Sequence, residues 1–78
     1  MKTTKIKSMV KKISKHYGVE SEFRVEKVKA TKETVEYIEV RTELTLDEGG
    51  YELMEEVEKA TGYSAEYQGG CVYYFYKE

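Results

Sequence analysis

One pattern occurs twice in this chain and restricts its fold more than any other feature: an amphipathic helical stripe, a glycine, then a strand. Ile6, Met9, Val10, Ile13 and Tyr17 recur at helical spacing ahead of Gly18, and Leu53, Met54, Val57 and Ala60 do so ahead of Gly62. Apolar residues at i, i+3, i+4 and i+7 line one face of an α-helix. Glycine readily takes the left-handed backbone that ends one. A shift of 44 residues lays Lys15, Gly18 and Glu22 on Lys59, Gly62 and Glu66. Duplication of units 1–46 and 47–78 would produce this overlay. So would any two amphipathic helices that end in glycine before a strand.

Alternating segments follow each glycine. Residues 19–30 and 34–46 read as strands. In the first, Phe23 and Val25 alternate with Glu22, Arg24 and Glu26; in the second, Ile38, Val40, Thr42, Leu44 and Leu46 alternate with Glu39, Arg41, Glu43 and Thr45. A period of two with one apolar face is the signature of a half-buried strand. After the second helix, residues 63–67 and 71–77 read as a hairpin about Gln68-Gly69-Gly70. The expected order is therefore α-β-β-α-β-β in a single α+β domain, 1–78. The simplest packing lays both helices on one face of a four-stranded, mostly antiparallel sheet. Thr3 or Thr4 can cap the first helix; Asp47, or Thr45 with Glu48, can cap the second. Gly49-Gly50 weakens that second start and moves it toward Gly50 or Tyr51.

The apolar phase of each early strand breaks once. Val28 and Ala30 lie out of step with Phe23 and Val25, and Val35 and Tyr37 lie out of step with Ile38 and Val40. A turn at Lys32-Glu33 sets Val28 opposite Tyr37, Ala30 opposite Val35 and Val25 opposite Val40. Both breaks then fall at one level and build an apolar cluster on the second face. A bulge that resets the parity is the other solution.

Five of the last twelve residues are aromatic: Tyr67, Tyr73, Tyr74, Phe75 and Tyr76. A two-residue Gly69-Gly70 loop pairs Tyr67 with Val72 and Ala65 with Tyr74. With Phe23 and Tyr67 sharing the core face, Tyr74 and Tyr76 point inward as well. Tyr73, Phe75 and Cys71 then point outward beside Val28, Val35 and Tyr37. An uncovered apolar patch marks a partner surface, and tyrosine is enriched at such surfaces. The plainer alternative is a small sheet with both faces partly apolar.

Several functions are disfavoured. One cysteine and one histidine cannot form a disulfide or a Cys/His zinc site, so no metal or cofactor is expected. His16 and Cys71 are the only side chains suited to nucleophilic or base work near neutral pH, and no second histidine or asparagine accompanies them. Their simpler roles are to end a helix and to fill a strand. The carboxylates lie on solvated faces, and a fold this small has little room for a pocket. Gly49-Gly50 sits beside Asp47 and Glu48, which would repel phosphate. A non-enzyme is expected. No apolar run is long enough to cross a membrane, and no apolar segment follows the N-terminal lysines. The lone cysteine fits a cytoplasmic location.

Charge is polarised. Residues 1–18 hold six lysines and no acid, whereas residues 47–61 hold six acids against Lys59. The sequence thus predicts a protein-binding or self-associating module, a homodimer being one form, that works through Val28, Val35, Tyr37, Tyr73 and Phe75. Accessory or inhibitor proteins, including those carried by phages, are of this kind. The alternative is nucleic-acid binding through Lys5, Lys7, Lys11, Lys12 and Lys15. Against it, that helix has no arginine for base readout, and lysine-rich helix backs most often serve solubility.

Overall fold

The first apolar stripe folds as helix α1, Thr3–His16, in the computed structural model of the chain, which describes residues 3–19 and 22–78. Lys2 of the basic run, and Glu20 and Ser21 of the expected first strand, lie outside the described residues. Ile6, Val10 and Ile13 are buried, and the lysines between them face solvent. Two bonds close the helix: the Val19 N–H donates to the Ser14 carbonyl at 2.8 Å, and the Gly18 N–H to the Lys15 carbonyl at 3.2 Å. Gly18 takes the required left-handed turn at φ +71°. This pair of bonds satisfies carbonyls that would otherwise be orphaned at the helix end. The helix therefore stops before Tyr17, which is 40% exposed rather than continuing the buried stripe.

Four strands follow in two hairpins: β1 Arg24–Val28, β2 Tyr37–Arg41, β3 Ser64–Gly69 and β4 Val72–Tyr76. Helix α2, Tyr51–Thr61, lies between the hairpins. The order is α-β-β-α-β-β, as the sequence predicts. Moving the last strand to the front would give the ferredoxin-like element order. The sheet is antiparallel throughout, with strand order β1-β2-β4-β3. Each hairpin thus gives its first strand to an edge and its second to the centre. The 44-residue overlay aligns Gly18 with Gly62 but not the strands behind them. β1 begins six residues after its glycine and β3 two after its own.

β1 and β2 are shorter than the alternation suggests. The outer part of their hairpin gives way to a turn in which the Thr31 N–H donates to the Thr34 carbonyl at 2.9 Å. At the other end, Leu44 leaves the strand yet stays fully buried. Residues Leu46–Gly50 then form one wide turn, capped by the Thr45 side chain, which accepts from the Glu48 N–H. Thr45, not Asp47, caps this segment, and regular helix begins at Tyr51.

Both helices cover one face of the sheet. Ile6, Val10 and Ile13 of α1 and Leu53 and Val57 of α2 meet Val25, Ile38, Val40, Tyr73 and Phe75 in a single core. Burying these side chains contributes roughly 1.5–3 kcal/mol each. Gly49 and Gly50 serve this packing. A β-carbon on Gly50 would collide with the Tyr73 hydroxyl and lie 2.7 Å from the Thr45 carbonyl oxygen. The glycine pair allows this close approach.

Candidate functional site

The helices leave the other sheet face uncovered. Register and alternation place three rows there: Val28–Tyr37–Tyr76–Ser64, Glu26–Glu39–Tyr74–Glu66 and Arg24–Arg41–Val72–Gly69. At the centre, Tyr37 lies 4.9 Å from Tyr74 and 5.4 Å from Tyr76, centroid to centroid, and Tyr74 lies 6.0 Å from Tyr76. These are spacings at which aromatic rings attract one another, by about 0.5–1.5 kcal/mol per pair. All three rings are half-buried. Val28 borders the cluster, and Val35, 52% exposed, stands at the hairpin tip beyond it.

Two ion pairs run within strands on this face, and Glu66 stands apart from them, its Oε1 accepting from Gln68 Nε2 at 3.0 Å. The Arg41 Nε is 2.8 Å from Glu39 Oε2 and the Arg24 Nε is 3.3 Å from Glu26 Oε1. Burial, then hydrogen bonding to Glu39 and the charge of that carboxylate, raises the Tyr74 pKa. Burial, then the Glu66 charge, raises that of Tyr76. Tyr74 and Tyr76 thus stay neutral hydroxyls at any ordinary pH. The three rings form the centre of the face, with Glu39 and Glu66 on either side of Tyr74 and ion pairs along the flank.

The structure brings Val28 and Tyr37 to this side as the sequence predicts, with Val28 opposite Tyr37 and Val25 opposite Val40; Val35 lies in the connection before β2, outside the ladder. It corrects the placement of Tyr73 and Phe75. Both are fully buried against the helices, and Tyr74 and Tyr76 take the outward positions. The cause is the β3–β4 turn. It is made by Gly70 and Cys71, at φ +57° and +61°, not by Gly69 and Gly70. The register shifts at Gln68, so Tyr67 pairs with Tyr73 and Gly69 with Val72. A slip of one residue reverses every side chain of a strand. One signal in the sequence favours this phase. Phe75 has no polar atom to keep wet, whereas the tyrosines at 74 and 76 do.

The other candidates lie elsewhere. Lys5, Lys7, Lys11, Lys12 and Lys15 are exposed on α1. α1 packs beside α2, whose Glu52, Glu55 and Glu58 are exposed in turn. The Glu52 charge reaches Tyr17 of the first unit and raises its pKa. The basic and acidic patches are thus halves of one helix layer. His16 is exposed with its ring 5.1 Å from that of Tyr17. Cys71 sits half-buried in the turn, where its N–H donates to the Tyr67 hydroxyl at 3.2 Å. Among the described residues, no group of three His, Cys, Asp or Glu side chains comes together, and no helix is long and apolar enough to cross a membrane.

Contrary to the expectation of little pocket space, an open groove of about 620 Å³ lies where α1 ends, with Ser14, Val19 and Phe23 lining it and Lys11 and Lys15 beside them. No family model, curated protein or solved structure matches the chain.

Proposed function

We propose that the chain is a non-enzymatic protein-binding module whose contact surface is the uncovered sheet face. The observation that carries this reading is the Tyr37–Tyr74–Tyr76 cluster on the face away from both helices. Tyrosine clusters with a polar rim suit protein contact, because the rings give area at low conformational cost and the hydroxyls find partners. The ion pairs Arg24–Glu26 and Arg41–Glu39 engage both arginines of this face, and phosphate binding draws on free cations. The α1 lysines share their layer with acids, which weakens their pull on a polyanion. Such a module acts by occupying a protein surface, as accessory and inhibitor proteins do. The single cysteine fits a reducing compartment such as the cytoplasm.

Photo-crosslinking in cells tests the proposal, with the reactive side chain in place of Tyr74 or, separately, of Lys12. Protein adducts at position 74 and none at 12 are expected. Adducts to nucleic acid at 12, with none at 74, would overturn it in favour of the basic helix.

A further inference from the structure

Resting on the proposal that the sheet face is the contact surface, we infer that its partner is an arginine-bearing segment of a different protein, whose guanidinium group lies on the Tyr74 ring between Glu39 and Glu66. The register sets this up. Glu39 of β2 and Glu66 of β3 stand on either side of Tyr74 of β4. Glu66 is exposed and forms no ion pair among the described residues. At one end of the face, Glu22 and Glu43 line the same shallow depression as Arg24 and Arg41. With Glu26, the face thus carries five carboxylates against two arginines, and both arginines are already paired. Its field draws cations. A guanidinium suits the site better than an ammonium because it is planar. It stacks on a ring while its N–H groups reach carboxylates at the ring's edge.

Sequence and area together fix the source of the arginine. Arg24 and Arg41 are the chain's only arginines, and both lie on this same face, held by Glu26 and Glu39. The basic helix α1 holds lysines and no arginine. A second copy therefore has no free guanidinium to offer. Four strands about 4.8 Å apart, with about 3.4 Å per residue, make a face of roughly 19 by 17 Å. That is less than half of the roughly 800 Å² each partner buries in a standard interface. It fits a short segment with one anchoring side chain rather than a broad surface, and the contact is weak and salt-sensitive. The acids of α2 compete poorly for the same segment, since the lysines of α1 lie beside them in one layer.

The test is a titration of the purified chain with a short, amide-capped arginine–glycine peptide, followed by amide chemical shifts and repeated with lysine–glycine and glutamate–glycine peptides. Shifts are expected at Glu39, Glu66, Tyr74 and Tyr76. The arginine peptide should bind more tightly than the lysine peptide, and the glutamate peptide not at all. Tyr74→Leu and Glu66→Gln should each weaken arginine binding about two- to fivefold while keeping the wild-type circular dichroism. Tyr74→Phe, which keeps the ring, should bind as wild type does, and so should Glu52→Gln with Glu55→Gln on α2. Shifts that map to α2, equal binding of the arginine and lysine peptides, or unchanged binding by folded Tyr74→Leu overturn the inference. So does a wild type that ignores the arginine peptide. The sheet-face proposal would then stand if crosslinking at position 74 still captures a protein, and fall if it does not. Shifts across the sheet face as the chain alone is concentrated overturn the different protein and assign the occupant to a second copy.

Discussion

Tyr73 donates its hydroxyl to the main-chain carbonyl of Leu44 at 2.5 Å, beneath the turn that leads into α2. The bond fastens the last strand to the link between the two halves of the chain. It also satisfies a buried carbonyl that no strand pairs. Burial raises the Tyr73 pKa far above its ordinary value, so the phenol stays a donor. Tyr73→Phe should cost about 1–3 kcal/mol, because the carbonyl is left without a partner. Gly50→Ala should cost at least as much, since its methyl meets both that hydroxyl and the Thr45 carbonyl. Urea unfolding of each variant measures both losses.

The phase of β4 has a direct test. Phe75 is fully buried and Tyr74 only half so. Phe75→Ala should destabilise by about 3–5 kcal/mol, and Tyr74→Ala by less than half of that. Equal costs, or the reverse order, would return the strand to the phase in which Tyr74 faces the helices.

Cys71 holds a left-handed backbone, φ +61°, that L-residues with a β-carbon resist. The strain amounts to about 1–2 kcal/mol. Cys71→Gly relieves it at an entropic cost of about 0.4–1 kcal/mol in the unfolded chain. The thermal midpoint should therefore hold or rise slightly, while Cys71→Val, β-branched at the same φ, should lower it clearly.

Glu36 of the first unit accepts a hydrogen bond from the Tyr63 hydroxyl of the second at 2.9 Å. That bond, opposed by burial and aided by Lys27 and Lys77, holds the Glu36 pKa below its ordinary value of 4.5. A carboxylate depressed in the folded state stabilises fully above its unfolded pKa. That contribution is lost as pH falls through the folded value. The stability gap between wild type and Glu36→Gln should therefore be present at neutral pH and close as pH drops below about 4. A gap that widens on acidification would contradict this linkage.

Much of this fold was legible in the residues. The two stripes, Gly18 and the shared parity break at Val28 and Tyr37 follow from local physics that repeats every few residues, and they gave the element order and the β1–β2 register. The outward partners of Tyr37 were not legible. They depend on whether the loop holds Gly69-Gly70 or Gly70-Cys71, a difference of one position settled by how β4 packs under the helices. A bulge at Gln68 leaves no mark in hydrophobic alternation. Composition alone showed polarised charge but not that its two poles lie side by side on one layer, because that depends on how the hairpins bring α1 next to α2.

The most direct test of the sheet face as the contact surface is a photo-crosslinking scan in cells, with the reactive side chain placed in turn at Tyr37, Tyr74, Tyr76, Lys5 and Lys12. Protein adducts are expected at the three tyrosine positions on β2 and β4 and none along α1. A scan with no protein adduct at those three positions, or with adducts only along the lysines of α1, would contradict the account.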